Sequence, residues 1–593
     1  MTISQLFPHL PAHRKRIERF LAERQLRYDH MDYYAVVTDG DDDERILAGG
    51  GLSGNIIKCV AVAEAAGGEH LCNTIVSHLL TVASEWGHHI VRVFTKPRNL
   101  GIFSSLSFRL LAESPEAILM ETGIGGLSRY LEYLKTMRHS LHDGARVGAV
   151  VMNANPFTLG HRYLVEQAAA DADWLYVIAV REDRSQYAYD ERLRMIREGC
   201  EGLPNVTVCE GSDYAVSGTT FPTYFLKRLD DASDTQMTLD LDLFRRHIAK
   251  ALGVTVRYVG SEDGDPLTRR YNELMARMLP EVREIRRLEM QGEAVSASKV
   301  RAAIANGRMS EAAMMTPRGT WPCLLSHLVT RALRMELDAT PKPGLVDCHD
   351  SGAHRDMDHG LMASSVKTLQ PYFERLARIG MAVGTDDVEA VRAIGIEAER
   401  AMLEATHGVN THKGALFCMG LMTVAAAHAL AMRGESLIAD RKSVTGSGML
   451  DAACLQEGVS RLAAHFAHAR DTHGHEVRQR DGGGRLSGAV EMARSGYARL
   501  FAEWLPYYRR CADSHPMQRT LLLIMSVLDD TNIAYRAGVE AMEGVKGEAS
   551  ALLENFSVRG LEEMNADFVR RGISPGGSAD MLALTVYADS LTR

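Results

Sequence analysis

The stretch Val147-Gly-Ala-Val-Val-Met-Asn-Ala-Asn-Pro-Phe-Thr-Leu-Gly-His161 gathers the residue types needed to hold a phosphate. Its continuous apolar run predicts a strand buried on both faces. The run breaks at Asn153 to Pro156, and Gly160-His161 then opens an amphipathic helix through Arg162-Tyr-Leu-Val-Glu-Gln-Ala-Ala. First-turn amides of a helix lack internal partners and sit at the positive end of its dipole, which favours an anion. A histidine placed there can give a proton or a positive charge to a phosphate that gains negative charge in a transition state. Asn155, Phe157, Thr158, Gly160 and His161 are therefore candidate nucleotide contacts, although a turn before a histidine-led helix can also be purely structural.

Further candidates follow the later strands. Arg181-Glu-Asp183, Gly211-Ser-Asp-Tyr214 and Gly260-Ser-Glu262 each come directly after an apolar run, and offer Arg181 and Asp213. Val295-Ser-Ala-Ser-Lys-Val-Arg301 sets Ser296 and Ser298 as caps ahead of a helix carrying Lys299 and Arg301 in its first turns. Cations there oppose the helix dipole, an arrangement that makes sense with a polyphosphate between them. The competing reading is that both are solvated surface residues.

The last part of the chain holds four polar clusters in otherwise apolar surroundings. Thr340-Pro-Lys-Pro-Gly-Leu-Val-Asp347 cannot continue a helix and predicts an extended loop that delivers Lys342. Asp347, Asp350, His354, Asp356 and Asp358 follow closely, and carboxylates so dense suit Mg²⁺ carrying a nucleotide's phosphates. Val409-Asn-Thr-His-Lys-Gly414 adds His412, Lys413 and Gly414; Asp529-Asp-Thr-Asn532 and Ile573-Ser-Pro-Gly-Gly-Ser-Ala-Asp580 complete the set. Each alone reads equally well as a cap or a solvated face, but four together point to a shared site. Asp356 with Asp358, or Asp529 with Asp530, are the metal candidates.

The elements that must position these residues fall into three regions. A chain of 593 residues exceeds one core, so several domains are expected. Residues 1 to about 140 alternate short strands (Tyr33 to Val37, Ile46 to Gly51, Ile56 to Val62, Ile90 to Phe94) with helices, and Asp39 to Asp43 reads as a turn. Residues 145 to 315 repeat the rhythm, with strands at Trp174 to Val180, Val206 to Val208 and Arg257 to Gly260 and a helix over Asp190 to Cys200. Such alternation predicts a parallel, doubly wound sheet with its ligand at the carboxyl ends of the strands. From about 320 to 593 the strand signal vanishes, no proline lies between Pro371 and Pro506, and an all-helical domain is expected beyond a junction at Thr316 to Pro322. Gly414 to Met432 lacks Asp, Glu, Lys and Arg and is long enough to cross a bilayer; its alanine and glycine content with Thr423 and His428 predicts a buried helix instead, with no membrane contact.

Bulk properties narrow the function. The formal net charge of −9 without a long basic tract argues against a nucleic-acid partner. Nine scattered cysteines with no C-x-x-C pair, and an N-terminus lacking a basic flank and an apolar core, point to a reducing cytoplasm.

Thr158-Leu-Gly-His161 resembles the His-x-Gly-His signature of nucleotidyltransferases, with threonine in the first histidine's place. With Gly211 to Tyr214, Thr220-Phe-Pro-Thr-Tyr-Phe-Leu-Lys227 and Ser296 to Arg301, residues 1 to about 310 resemble the citrate lyase ligase family. The resemblance implies an acetyltransferase-like (GNAT) module over residues 1–140, then a doubly wound nucleotidyltransferase (HIGH-type, Rossmann-like) domain over 145–315. It implies activation of acetate by ATP as acetyl-adenylate, and acetyl transfer to the thiol of the arm on the acyl carrier subunit of citrate lyase. His161 and Thr158 would contact the reacting α-phosphate, Lys299 and Arg301 the leaving pyrophosphate, and Mg²⁺ would bridge phosphate oxygens. Ala65-Ala-Gly-Gly-Glu-His-Leu71 is a loose version of a coenzyme-gripping glycine turn, or a plain strand-to-helix loop. Two departures stand out: Gly218 where the family has arginine, and Ser261-Glu-Asp263 where it has Thr-Glu-Pro.

The four clusters of the helical part resemble the triphosphoribosyl-dephospho-coenzyme A synthase family over about residues 322 to 593. That resemblance implies ATP and 3′-dephospho-coenzyme A as substrates, with adenine expelled and the ribosyl triphosphate joined to the coenzyme's ribose. One departure bears on activity: near Leu486 to Tyr497, Val490 stands at an expected arginine and Met492 at an expected glutamate. Either Arg494 and Glu491 supply those charges or this half is weakened. Together the resemblances imply a bifunctional enzyme that matures citrate lyase. The alternative is a small-metabolite adenylyltransferase fused to a non-catalytic carrier-docking domain or to one serving malonate decarboxylase.

Overall fold

A computed structural model describes residues 3–39, 42–63, 68–182, 185–214, 231–261, 266–439, 450–466 and 488–593. The motif Thr220 to Lys227, the departures at Gly218 and Glu262-Asp263, Asp183, Ala65 to Gly67 and Leu486-Ser487 lie outside the described residues. The backbone forms two compact units, Met1–Asn155 with Gly160–Ala294, and Pro156–Leu159 with Val295–Arg593.

The first unit is α/β and holds two main sheets. In one, seven strands lie in the order β1 (Ile3–Leu6), β2 (Tyr33–Asp39), β3 (Asp42–Ser53), β4 (Ile56–Val62), β5 (Ile90–Thr95), β7 (Ile118–Gly123) and β6 (Arg109–Glu113). Only β4 and β5 run parallel; every other pair is antiparallel. The hairpin between β3 and β4 is closed by Gly54, whose φ of +54 a side chain would resist. Strand β3 starts at Asp42, ahead of the Ile46 expected from hydrophobicity. Its Gly49 and Gly51 leave room for the Tyr34 ring and the Met31 side chain. A parallel pair needs a crossover, and the Gly68–Glu85 helix supplies it, burying Leu71, Ile75, Val76, Leu79 and Val82 on the sheet.

The second sheet matches the expected doubly wound pattern. Five strands, all parallel, lie in the order β10 (Val206–Cys209), β9 (Trp174–Ala179), β8 (Val147–Met152), β11 (Val256–Gly260) and β12 (Val282–Ile285). Strand β8 is central, which explains its unbroken apolar run. The chain order reverses between β8 and β11, so the carboxyl end of β8 opens onto the crevice where such sheets bind ligands.

The second unit is helical apart from a few extended loops. Helices Trp321–Asp338 and Lys413–Ala439 pack on the terminal helix Gly576–Thr592, and His359–Val383 packs on both of them and on Val388–Ala405. The Lys413–Met432 stretch is apolar enough to span a bilayer, yet 83% of its apolar window is buried. Leu582, Leu584, Tyr587 and Leu591 of the terminal helix are fully buried as well. Each such leucine contributes roughly 1.5–3 kcal/mol through removal of apolar surface from water. The junction expected at Thr316 to Pro322 falls inside this unit. Helices Ala297–Ala305 and Met309–Met314 precede it, and the Trp321 indole N–H donates to the Ala313 carbonyl at 3.3 Å. All nine cysteines are free thiols.

Candidate functional site

At the carboxyl end of β8 the chain turns sharply, with Ala154 at φ +47. A buried arginine builds the surroundings of that turn. Arg192 donates to the carbonyls of Tyr187, Val180, Glu182 and Asn153 and to Asn153 Oδ1, over 2.7–3.1 Å. It thereby ties the end of β8 to the loop after β9. Asn155 Oδ1 accepts the Tyr187 amide at 3.2 Å. Its side chain therefore shapes the loop.

His161 lies in the first turn of the Leu159–Asp171 helix. Burial, then the positive charge of Arg287, lowers its pKa from 6.5 to about 4. At neutral pH the ring is uncharged. Arg287 follows β12, another strand end of the parallel sheet, and donates from Nε to the Ser261 carbonyl at 2.7 Å. It is a candidate that sequence reading missed; its position just past a strand's carboxyl end was the available signal. Arg181 and Asp213, after β9 and β10, face one another at 3.6 Å, and Arg181 lies over the Tyr189 ring. A methyl group at Gly211 would collide with the Ala179 carbonyl, so only glycine lets these two loops approach.

In the second unit, Phe157 and Thr158 are buried. The Phe157 carbonyl accepts Thr320 Oγ1 at 3.1 Å, and the Leu159 amide donates to Met315. Ser296 caps the Ala297–Ala305 helix and lies 2.9 Å from Ser298 Oγ; Lys299 and Arg301 stand on its first two turns, half-buried.

The four clusters of the helical unit converge. His354 Nε2 meets Ser574 Oγ at 2.7 Å, Asn565 bonds the Gly344 amide and Asp350, and Ser578 bonds Asp530. A methyl group at Gly414 would collide with the Asp580 carboxyl. A cavity of about 670 Å³ opens over Arg355, Asp356, Asp358, Ser364 and the Ala405–His407 turn. That volume suits a nucleotide.

Several candidates have structural duties. Lys342 is buried, its ammonium bonded to the Glu336 carbonyl at 2.6 Å and to the Glu336 carboxylate. Asp347 accepts Thr340 Oγ1 and the amides of Lys342, His349 and Asp350, organising the extended loop. Asp530 receives the amides of Asn532, Gly577 and Ser578 and the Ser578 hydroxyl, so it caps two helices at once. Asp529 pairs with Lys546 at 2.6 Å, and Lys413 with Glu399 at the same distance. Asp358 caps the His359–Val383 helix through one oxygen and lines the cavity beside the exposed Asp356. Glu491 and Arg494 both hold nearby backbone. Glu491 accepts the Gly488 amide, and Arg494 donates to the Ala463 and Phe466 carbonyls.

His412 is buried within a relay. Thr411 Oγ1 donates to Ser365 Oγ at 2.8 Å, and Ser365 lies 2.8 Å from His412 Nδ1. Nε2 of the ring has no partner among the described residues. Burial and the neighbouring Lys342 lower its pKa to about 4. A histidine held neutral when folded takes up a proton in the unfolded chain first. Stability is thus complete above pH 6.5 and falls as pH drops from there through 4, by on the order of 3 kcal/mol. Urea unfolding of wild type and His412→Gln between pH 7 and 4.5 will show a shallower acid loss for the variant.

The family described as citrate lyase ligase C-terminal domain matches residues 147–324, and that described as ATP:dephospho-CoA triphosphoribosyl transferase matches residues 324–593. A [citrate [pro-3S]-lyase] ligase of Klebsiella pneumoniae is 40% identical over 53% of this chain and 92% of its own length; its Escherichia coli counterpart is 39% identical over 51% and 88%. A probable 2-(5''-triphosphoribosyl)-3'-dephosphocoenzyme-A synthase of Salmonella typhi is 36% identical over 44% of this chain and 89% of its own length. A ligase family and a transferase family thus share one polypeptide. The chain belongs to the citrate lyase ligase family through its N-terminal half and to the triphosphoribosyl-dephospho-CoA synthase family through its C-terminal half.

Proposed function

We infer that this chain is a bifunctional enzyme of citrate lyase maturation. One half acetylates the thiol of the acyl carrier prosthetic group through acetyl-adenylate, consuming ATP. The other joins ATP to 3′-dephospho-coenzyme A with release of adenine, making the precursor of that same group. The observation that carries this reading is the near full-length coverage of relatives of both kinds within one chain.

The finer organisation follows. Residues 1–140 act as an acetyltransferase-like module, a reading supported by the mixed sheet with one parallel pair, β4 and β5, beside the Gly68–Glu85 helix. Residues 145–315 act as the HIGH-type adenylating domain, supported by the parallel order around β8, and residues 320–593 as the synthase. An acetate oxygen attacks the α-phosphate and pyrophosphate leaves. The neutral His161 donates an N–H to the oxygen that gains charge, and Thr158, Lys299 and Arg301 keep the phosphate roles that the resemblance assigns. Asn155, Phe157, Gly160, Arg181, Asp213, Ser296 and Ser298 shape the nucleotide's surroundings.

In the helical unit, His412 and Gly414 face the nucleotide, while Lys342 and Lys413, held by Glu336 and Glu399, brace that wall from behind. Mg²⁺ fits Asp356 and Asp358, which border the cavity, better than Asp529 and Asp530, whose oxygens are held by Lys546 and by amides. Bound there, the ion would offset triphosphate charge. Both activities are expected in the full-length protein, so the reading is tested on it directly. Acetate-dependent ATP–pyrophosphate exchange checks the first and adenine release from ATP plus dephospho-coenzyme A the second. Exchange indifferent to acetate, or no adenine release, overturns the corresponding half.

A further inference from the structure

Peptide groups just past the end of a strand lose their ladder partners and must bond elsewhere. In the loop that follows β10, Glu210 to Tyr214, side chains take them. Tyr130 Oη donates to the Glu210 carbonyl at 3.0 Å, and Tyr133 Oη accepts the Glu210 amide at 2.9 Å. Tyr189 Oη accepts the Gly211 amide at 2.8 Å, and Arg92 donates to the Asp213 carbonyl at 3.0 Å. Tyr189 opens a helix packed beside the parallel sheet's own strands. The other three come from the first region of the chain: Arg92 from β5, Tyr130 and Tyr133 from the Gly126–Met137 helix.

The last anchor of the loop is Tyr214, which is buried. Its hydroxyl donates to Glu121 of β7, and the Arg92 guanidinium lies 4.2 Å over its ring. Arg92 and Glu121 are register partners across β5 and β7, and their side chains pair at 3.3 Å. The other Glu121 oxygen accepts the Leu127 amide at 2.9 Å, which fixes the start of the helix that carries Tyr130 and Tyr133. A methyl group at Gly126 would collide with Glu121 and crowd the Tyr214 hydroxyl, so the cluster closes around a glycine. A buried ion pair adds little stability over apolar packing, but a fully bonded network fixes geometry. What the network leaves exposed is the Asp213 side chain, 3.6 Å from Arg181 at the neighbouring strand end.

We propose that Arg92, Glu121 and Tyr214 are positioning residues of the adenylating site. They hold the loop after β10 so that Asp213 stands opposite Arg181 at the carboxyl edge of the parallel sheet, where such sheets bind ligands. The proposal rests on the ligase reading above. The three residues act through the backbone of the loop and through Tyr214, away from the reacting atoms. The first sheet thereby serves the ligand edge of the second, both being parts of one compact unit. A contact residue displaced by about 1 Å can cost on the order of 10²-fold in rate, so slack in this loop reaches the chemistry.

The test uses Tyr214→Phe, Asp213→Asn and the double variant of the full-length protein. Tyr214→Phe keeps the ring under Arg92 and removes only the bond to Glu121. Amide hydrogen–deuterium exchange at Gly211 and Asp213 is expected to quicken roughly 10–100-fold, the scale of one hydrogen bond to a charged group, with the β8 amides unchanged. Unchanged loop amides, or equal quickening throughout the sheet, overturn the clamp. Acetate-dependent ATP–pyrophosphate turnover by Tyr214→Phe is expected to fall about 10–100-fold. In the Asp213→Asn background the same substitution is expected to cost under threefold, because the side chain it positions is already altered. Additive losses, or full turnover by Asp213→Asn alone, overturn the proposal. If wild type shows no acetate-dependent turnover, the ligase reading fails, and the deuterium arm still decides whether the clamp holds the loop.

Discussion

His161→Ala is expected to lower acetate-dependent ATP–pyrophosphate exchange by about 10²–10³-fold, the scale of losing one donor to a developing oxyanion. Adenine release by the same protein is expected to stay at the wild-type rate, since the helical half has its own residues. The neutral state of the ring adds a second signature. With its pKa lowered to about 4 by burial and Arg287, His161 does not change charge between pH 6 and 8. Exchange should therefore show no titration with a midpoint near 6.5 that disappears in His161→Gln. Such a midpoint, or full exchange by the alanine variant, would sink the role given to this residue.

Lys342→Ala carries the largest expected cost in stability. The substitution leaves Glu336, 4% exposed, without its cation. Breaking a buried pair from one side costs roughly 3–5 kcal/mol, because the remaining charge is stranded in a poor solvent. Lys342→Met combined with Glu336→Gln removes both charges and is expected to recover at least half of that loss. Urea unfolding followed by tryptophan fluorescence measures all three proteins. Additive losses in the double variant would show that the pair is not coupled as the geometry indicates.

The buried ion pair also explains where sequence reading reached its limit. A lysine in a Pro-Lys-Pro-Gly loop beside many aspartates reads as a phosphate ligand, because nothing local reveals that Glu336 closes on it from the preceding helix. Asp530 poses the same problem: its role as a double cap depends on Gly577 and Ser578, far along the chain. What was legible were features that local chemistry determines. The run Val147 to Met152 announced a central strand, and the turn ending in Gly160-His161 announced the first helix beyond it. The four polar clusters announced a common location. The antiparallel pairing of the first sheet was not legible, since alternating strands and helices also describe a parallel sheet. Hairpin closure at Gly54 and the room left by Gly49 and Gly51 decide it. Arg287 went unweighed because a lone arginine gains its meaning only from tertiary neighbours.

The boundary between the two family matches, at residue 324, does not coincide with a seam in the folded chain. Residues 295–323 belong to the ligase match yet fold with the helices, where Met309, Ala312 and Trp321 are buried. Even Pro156–Leu159 belongs to that body, held by Met315 and Thr320. Scissors applied at 324 would therefore strip an apolar flank from the transferase fragment and leave it sticky. Anyone expressing the two catalysts separately would have to redesign that exposed surface first.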